Sequence, residues 1–165
     1  MAESFSFDVV SDFDRQELVN ALDQVKREIS QRYDLKGTDT SVDLDKENIF
    51  IITNSELTLN AVSDMIRQKA TKRNLSLKMF DYGEIEMVGG NKVKQTILLK
   101  QGINQEFAKK ISKKIRDQIK KINVSINGET LRVASKSKND LQLAIKLVSE
   151  LEESLNIPLK AHNFR

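Results

Sequence analysis

The sequence predicts an α+β protein made of two tandem ferredoxin-like sandwiches, each with the element order β-α-β-β-α-β. Apolar residues make up 39% of the 165 residues, so the chain can form packed cores. Patterns of helix period and of strand period alternate along the chain. The pattern of the first half then recurs in the second half, which indicates an internal duplication.

The first half predicts a strand, a helix, two strands and a second helix. Asp14 and Glu17 have the spacing of a capping box, and apolar residues then recur every three or four positions as far as Tyr33. Ser55 can cap the second helix. In order, the elements are strand 5–9, helix 14–33, strands 42–44 and 49–52, and helix 55–70.

The second half predicts the same order and adds a final strand. Asn104 and Ser137 can cap its two helices, and Pro158 prevents the last helix from continuing. Asn127-Gly128 is the dipeptide that best fits a type I′ hairpin turn. In order, the elements are strand 93–99, helix 104–119, strands 124–126 and 131–133, helix 137–151 and strand 159–165.

The register of the repeat defines the predicted domains. Adding 82 to the residue number maps eight apolar or capping positions of the first copy, from Val42 onward, onto similar residues of the second copy. Upstream, as far as Ile29, the offset is 90. The first copy therefore has an eight-residue insertion between these two residues, in a loop around residues 30–40. The predicted domains are residues 1–90 and 91–165.

The two predicted domains differ in charge. Residues 1–90 carry 11 Lys/Arg and 17 Asp/Glu, whereas residues 91–165 carry 16 Lys/Arg and 7 Asp/Glu. The first domain is acidic, with a balance of −6, and the second is basic, with a balance of +9. A basic domain favours an anionic partner, and it also allows the two halves to attract each other.

Several function classes lack the residues that they need. The chain has no Cys and a single His, His162, so no metal or cofactor is predicted. It has neither a Gly-x-x-x-x-Gly-Lys-Ser/Thr loop nor a Gly-x-Gly-x-x-Gly motif, and we interpret Gly89-Gly90 as a joint between the repeats. No apolar run is long enough to span a membrane, and the acidic N-terminus is unlike a signal peptide. We expect a cytoplasmic protein that is not an enzyme and has no membrane partner.

The insertion contains the stretch RYDLKG, residues 32–37, which has two interpretations. In the first, it is an ordinary helix end. Its two cations suit the negative helix terminus, and Gly37 suits the left-handed C′ position. Tyr33 then continues the buried stripe of the helix, and Leu35 makes the closing apolar contact.

In the second interpretation the same stretch binds a nucleotide. An arginine fork and a lysine point charge both pair with phosphate. The phenol or the guanidinium offers a flat face for a base, the carboxylate accepts from a guanine edge or orients the arginine, and the glycine admits a close backbone approach. The candidate nucleotide-binding residues are Arg32, Tyr33, Asp34, Lys36 and Gly37.

Basic residues form a second candidate surface. On the third helix those from Lys109 to Lys121 lie opposite the apolar stripe, so they are either the solvated face of an amphipathic helix or a surface for phosphate groups. Phe5, Phe7 and Phe50 are interpreted as core or interface residues rather than as aromatics that stack on RNA bases. The candidate nucleic-acid contacts are Lys94, Lys100, Lys109, Lys113, Lys114, Arg132 and Lys136.

Four stretches together resemble the YajQ family of nucleotide-binding proteins: RYDLKG, LKQGINQEFAKKI, LRVASKSKNDLQ and the terminal NFR. The resemblance runs from Phe7 to Arg165. The usual family form of the first stretch is RYDFKG, so Leu35 replaces an aromatic residue here. The charged positions of that stretch match the family form.

The resemblance implies tandem ferredoxin-like domains, similar to RNA-recognition folds, with exchanged N-terminal strands. Strand 4–10 is then expected in the second sheet and strand 92–100 in the first. The resemblance also implies noncatalytic nucleotide binding, with cyclic di-GMP bound by some members and weak RNA or mononucleotide binding suspected for others. We predict a cyclic di-GMP effector that passes its state to a protein or nucleic-acid partner. The alternative is a module that binds tRNA or single-stranded RNA through the basic helix and the open sheets.

Overall fold

A computed structural model describes residues 4–165 of the chain. Within this range the chain forms two antiparallel sheets, four α-helices and two short 3₁₀ turns, Tyr33–Leu35 and Leu77–Met79. The α+β class predicted from the sequence is therefore confirmed. The element order is compatible with tandem ferredoxin-like units.

The nine strands of the described residues run from three to eight residues in length. They are β1 (Phe5–Val10), β2 (Ser41–Leu44), β3 (Asn48–Thr53), β4 (Phe80–Tyr82), β5 (Glu86–Val88), β6 (Lys92–Leu99), β7 (Asn123–Asn127), β8 (Thr130–Ser135) and β9 (Lys160–His162). The helices are α1 (Arg15–Gln31), α2 (Glu56–Lys72), α3 (Gln105–Gln118) and α4 (Lys138–Leu155).

Each helix begins directly after a side-chain cap. The cap oxygen accepts a hydrogen bond from the backbone N–H three residues further along, which satisfies one of the donors that a helix start leaves unpaired. All four caps were predicted from the sequence. They are Asp14, Ser55, Asn104 and Ser137.

One compact unit comprises Phe13–Lys100. Its sheet has the order β2-β3-β6-β4, and β5 also pairs with β6. α1 and α2 supply core residues on one face of this sheet, where Leu18, Ile49 and Ile97 are fully buried. The side chains between them along the strands, such as Phe50, point to the opposite face.

The other unit combines the described residues up to Asp12 with Gln101–Arg165. Its sheet has the order β7-β8-β1-β9, so the strand that opens the chain lies inside the sheet of the C-terminal half. Phe7 of β1 is fully buried in a core formed with α3 and α4. Correspondingly, β6 lies inside the sheet of the N-terminal half, between β3 and β4. The behaviour of the two units as domains stays a prediction.

Two local expectations of the sequence were wrong. α3 ends at Gln118, so the last two lysines of the expected basic face, Lys120 and Lys121, lie beyond the helix. The turn between β7 and β8 consists of Gly128 and Glu129, one residue later than expected, and only the glycine has a positive φ, of 61°. That pattern is typical of a type II′ turn, because only its first central residue needs positive φ.

The sequence analysis also missed β4 and β5. Each has only three residues, which is too short to show a period of two. β5 forms a hairpin with β6, and Gly89 and Gly90 lie in its turn, where φ of Gly90 is 78°. The two glycines are therefore part of a hairpin inside one unit and not a joint between the repeats.

A polar cluster lies on the outer face of the sheet β7-β8-β1-β9. Asp8 of β1 accepts hydrogen bonds from Arg132 Nε at 3.2 Å and from Asn163 Nδ2 at 3.0 Å. These two donors hold the pKa of the Asp8 carboxyl below its ordinary value of 3.8, against the opposing effect of burial. The carboxylate thus connects β8 and the C-terminal residues to the central strand.

We expect Asp8→Asn to remove part of the acid sensitivity of this unit. Because the pKa of Asp8 is lower in the folded chain, its contribution is complete above the unfolded pKa and is lost as the pH falls through the folded pKa. The variant should lose about 0.2–1 kcal/mol of unfolding free energy at pH 7, the range of partly exposed pairs. Urea unfolding from pH 7 down to pH 2.5 should show this difference shrinking below about pH 4. A difference that stays constant with pH would contradict the assignment.

Candidate functional site

The RYDLKG stretch begins where α1 stops. Arg32 has an extended backbone, with φ −77° and ψ 126°, so the helix ends at Gln31 although the Arg32 N–H still reaches the Glu28 carbonyl at 2.9 Å. A 3₁₀ turn follows, and it directs Tyr33 outward, where 87% of the residue is exposed. The expectation that Tyr33 continues the buried stripe was wrong.

Gly37 does not have the role expected at a helix end. Its φ of 79° is positive, but it lies beyond the 3₁₀ turn, so it is not the C′ residue of α1. The positive φ explains a glycine at this position, since L-residues rarely adopt that conformation. A Cβ built at Gly37 would meet no atom within 4 Å, so the space beside this backbone is open.

Buried groups hold the insertion against the core. Leu35 is 5% exposed and belongs to the core of its unit, so the closing apolar contact expected of it is present. Thr38 donates its hydroxyl proton to the Leu35 carbonyl at 2.7 Å. Because a hydroxyl has one proton, Thr40 then donates to Thr38 at 2.7 Å, and Thr53 of β3 donates to Thr40 at 2.8 Å. The loop is therefore tied to the sheet beneath it.

Arg32 is held in one orientation by carboxylates. Its Nε and Nη2 donate to the two oxygens of Asp34 at 3.0 and 2.7 Å, a bidentate pair. Glu28 lies 3.6 Å from Nη1, beyond hydrogen-bond distance, and Glu28 also lies 3.4 Å from Lys69 of α2. The pair with Asp34 lowers the pKa of the Asp34 carboxyl and raises the pKa of Arg32. One edge of the guanidinium is thus fixed by Asp34, and Nη1 on the other edge lies at ion-pair distance from Glu28.

Tyr33 and Lys36 form the exposed surface of the turn. The Lys36 Nζ lies 5.9 Å from the centre of the Tyr33 ring, and within residues 4–165 it has no carboxylate partner. The neighbouring cation of β6 differs, since Lys92 pairs with Asp39 and lowers the pKa of that carboxyl. The turn therefore combines an exposed aromatic face, an unpaired ammonium and an oriented guanidinium.

The structure divides the candidate nucleic-acid contacts between different surfaces. Lys109, Lys113 and Lys114 are exposed on α3, which packs on the inner face of its sheet. Arg132 points to the outer face of that sheet and pairs with Asp8, and Lys136 is exposed just after β8. These residues therefore do not form a single patch.

The remaining two contacts lie on β6 or directly after it, in the other unit. The Lys94 Nζ lies 5.0 Å from the centre of the Phe50 ring, on the outer face of the sheet β2-β3-β6-β4. Lys100 is half-buried, and its backbone N–H donates to the Met79 carbonyl. The expectation that Phe7 is a core residue is confirmed, whereas Phe50 is half-exposed on the open face.

The family of the chain follows from comparison with known proteins. The family model described as nucleotide-binding protein YajQ-like matches residues 5–165. The chain belongs to this family. The resemblance found in the four sequence stretches is thereby confirmed, and the match covers both units.

Two relatives of this YajQ-like chain match it over the full length of both chains. A protein of Prochlorococcus marinus strain AS9601 is 92% identical over 165 residues, with both chains covered completely. A protein of Synechococcus sp. strain CC9605 is 55% identical, again over the full length of both chains. Both relatives are named nucleotide-binding proteins.

Some residues around the candidate site of the YajQ-like chain were not found from the sequence. Glu28 lies on the expected helix, but its position beside Arg32 depends on the helix ending at Gln31. The pair Thr38 and Thr40 shows a two-residue spacing ahead of a strand, which was a usable signal. Within residues 4–165 no group of three or more acidic or histidine side chains could hold a metal ion, and no helix is long and apolar enough to cross a membrane.

Proposed function

We propose that this YajQ-like chain is a noncatalytic nucleotide-binding protein whose ligand binds at the RYDLKG turn. The exposure of Tyr33 is the observation that carries the proposal. Burying an aromatic side chain is favourable, so a loop that only ended a helix would gain by covering its ring. Here the ring stays 87% exposed although its neighbour Leu35 is 5% exposed. A turn that is anchored to the core and presents an exposed aromatic face is suited to stacking on a base.

Each candidate residue then has a distinct role. Tyr33 stacks on the base, and Lys36 supplies an unpaired cation for phosphate. Asp34 holds Arg32 by one edge, and the other edge, which faces Glu28, can donate to a phosphate or to the O6 and N7 acceptors of guanine when a ligand replaces Glu28 there. Gly37 leaves open space beside the backbone. These roles use every group of the candidate set without moving the buried anchors.

The ligand that we propose is cyclic di-GMP, and the chain would act in the cytoplasm as its effector. The family membership and the names of the relatives support nucleotide binding in general. One edge of Arg32 can pair with guanine, and Arg32 and Lys36 together supply two cations for phosphate. These features favour a guanine nucleotide with more than one phosphate. A protein partner or a nucleic acid would then respond to the bound state.

We expect Arg32→Ala combined with Lys36→Ala to weaken cyclic di-GMP binding by at least about tenfold, because both charge-assisted contacts are lost. Isothermal titration calorimetry of the purified chain measures this directly. The matched control is Lys26→Ala with Arg27→Ala, which removes the same two charges from exposed positions of α1. If the parent chain binds no cyclic di-GMP at micromolar ligand, the ligand is wrong. Equal affinity of the two double variants for cyclic di-GMP would exclude the RYDLKG turn as the binding site.

A second candidate function is RNA binding through α3. The observation that favours it is the exposure of Lys109, Lys113 and Lys114, none of which has an ion-pair partner in the described chain. Such a surface binds phosphates without sequence preference, so its affinity falls steeply with salt. Retention of tRNA that is lost with Lys113→Gln and Lys114→Gln, yet survives changes at Arg32 and Lys36, would favour this function over the first.

A further inference from the structure

A groove runs between α3 and α4 on the surface of the unit that contains Gln101–Arg165. Two cavities of about 240 and 230 Å³ lie along it and share Leu147 and Glu150 in their walls, so they form one continuous depression. Leu143 lies in its wall with 53% of the residue exposed. Ile119 and Leu151 are 5% and 6% exposed and form its floor.

The equivalent helix pair of the other unit offers a comparison. In Phe13–Lys100, polar side chains bridge α1 and α2. Lys69 lies 3.4 Å from Glu28, and Arg73 lies 3.1 Å from Glu17. These two ion pairs connect the two helices.

The equivalent positions between α3 and α4 have lost these bridges. By the repeat offsets of 82 and 90, Leu151 and Leu155 stand where α2 and its cap have Lys69 and Arg73, and Gln118 stands where α1 has Glu28. Leu143 stands at the position of an alanine in α2. In the described chain, Gln118 and its neighbour in the groove, Lys114, make no ion pair or side-chain hydrogen bond to α4. The second copy of the fold therefore has leucines where the first copy has the two cations that bridge its helix pair.

We propose that this α3–α4 groove binds an acidic amphipathic helix of a protein partner. An amphipathic helix binds a groove through apolar anchors at positions i, i+3, i+4 and i+7. Leu143 and Leu147 are themselves one helical turn apart and can pack against two such anchors. Single exposed apolar residues need no partner, but here the exposed leucine continues into a groove with a buried apolar floor.

The charge of the groove specifies the charge of the partner. Lys114 and Lys146 line it from the two helices, so its lining has two cations and one carboxylate. Glu150 is the acidic residue of the wall, so the bound helix needs a neutral or basic side chain at that one point. An RNA strand would place phosphates against Leu143 and Leu147, whose apolar surface it cannot use. The combination of apolar floor and basic walls therefore favours an acidic helix.

The test uses the full chain and two synthetic helical peptides of about five turns. Both have leucines at i and i+4 positions along one face. One has glutamates on the flanks, and in the other each glutamate is replaced by lysine. Fluorescence anisotropy measures their binding, and methyl NMR follows the resonances of Leu143 and Leu147. We expect the acidic peptide to bind and to shift both resonances, and the basic peptide to bind at least about tenfold more weakly.

Substitutions distinguish binding of the peptide in the groove from nonspecific binding elsewhere on the surface. Leu143→Ser, and Lys114→Glu combined with Lys146→Glu, are each expected to weaken the acidic peptide by about tenfold or more. The controls are Leu57→Ser, an 82% exposed leucine of α2, and Lys26→Glu on α1, which should leave binding unchanged. Since all substituted side chains are exposed, melting temperatures should stay close to that of the parent chain.

Several outcomes would overturn the proposal. One is failure of the acidic peptide to bind, and another is equal binding by the basic peptide. A third is equal loss of affinity in the groove variants and in the controls. A fourth is that tRNA, rather than the acidic peptide, shifts the methyl resonances of Leu143 and Leu147, which would assign the groove to nucleic acid. The proposal does not depend on nucleotide binding at the RYDLKG turn.

Discussion

A fragment of residues 91–165 is expected not to fold, whereas a fragment of residues 13–100 is expected to fold by itself. The first fragment lacks β1, the inner strand that pairs with both β8 and β9. Loss of Phe7 alone, which is fully buried, corresponds to about 3–5 kcal/mol, and a small domain has only about 5–15 kcal/mol in total. The fragment also carries β6 without its partner strands. Residues 13–100 retain a complete five-stranded sheet and both of its helices.

Circular dichroism and urea unfolding distinguish these expectations. A fragment of residues 1–90 is the matched control. It contains β1 without β8 and lacks β6, so it should show no cooperative unfolding transition. Joining residue 12 directly to residue 101 should restore a folded unit. The join is short because the Gly102 N–H donates to the Ser11 carbonyl at 2.6 Å. Cooperative unfolding of residues 91–165 alone would show that the domains follow the sequence repeat and not the strand pairing.

Leu35→Ala and Tyr33→Ala are expected to have opposite effects although the residues are two positions apart. Leu35 is 5% exposed in the core, so its truncation should lower the free energy of unfolding by about 2–5 kcal/mol. Tyr33 is 87% exposed, so its truncation should change that free energy by no more than about 0.5 kcal/mol. If the ring stacks on a base, the same change should weaken nucleotide binding by roughly 1–3 kcal/mol, or about five- to 150-fold.

Both variants are measured in two ways. Urea unfolding reports the contribution of each side chain to stability, and calorimetric titration reports its contribution to nucleotide binding. Leu35→Met serves as the control for the core position, because a swap of similar volume should cost less than about 1.5 kcal/mol. If the Tyr33→Ala variant binds nucleotide with the affinity of the parent chain, the proposal that Tyr33 stacks on the base is wrong. A Tyr33→Ala variant that is strongly destabilised would show that the ring supports the fold.

The sequence was informative wherever a buried face imposed a period. The helices and seven of the nine strands in residues 4–165 follow from the spacing of apolar residues, and the helix caps follow from their residue types. β4 and β5 could not be predicted, because three residues do not establish an alternation. The outward direction of Tyr33 was missed because it depends on the extended backbone of Arg32, for which the residue type gives no signal.

The candidate site was predictable in composition but not in geometry. The sequence offered two roles for Asp34, and the observed bidentate pair corresponds to the orientation of Arg32. The hydroxyl chain that supports the loop depends on Thr53, which lies on a strand 13 residues after Thr40. The α3–α4 groove could not be recognised from the sequence, because it is visible only when the packed helix pair is compared with its repeat, α1 and α2. Periodicity of apolar residues therefore predicts the helices and strands but not the contacts between segments that are distant in the sequence.

The position of β1 has a consequence for the order in which the chain acquires its structure. During synthesis, β1 emerges first but must wait for β8 and β9, which emerge last. Closing a flexible loop of the length of Phe13–Lys100 costs about 4 kcal/mol of chain entropy. If that segment folds first, its ends are already close together, and most of this entropic cost is removed before β1 meets its partners. The stability of the unit with the terminal strands then depends on the folding of the segment inserted into it, even without any contact between them.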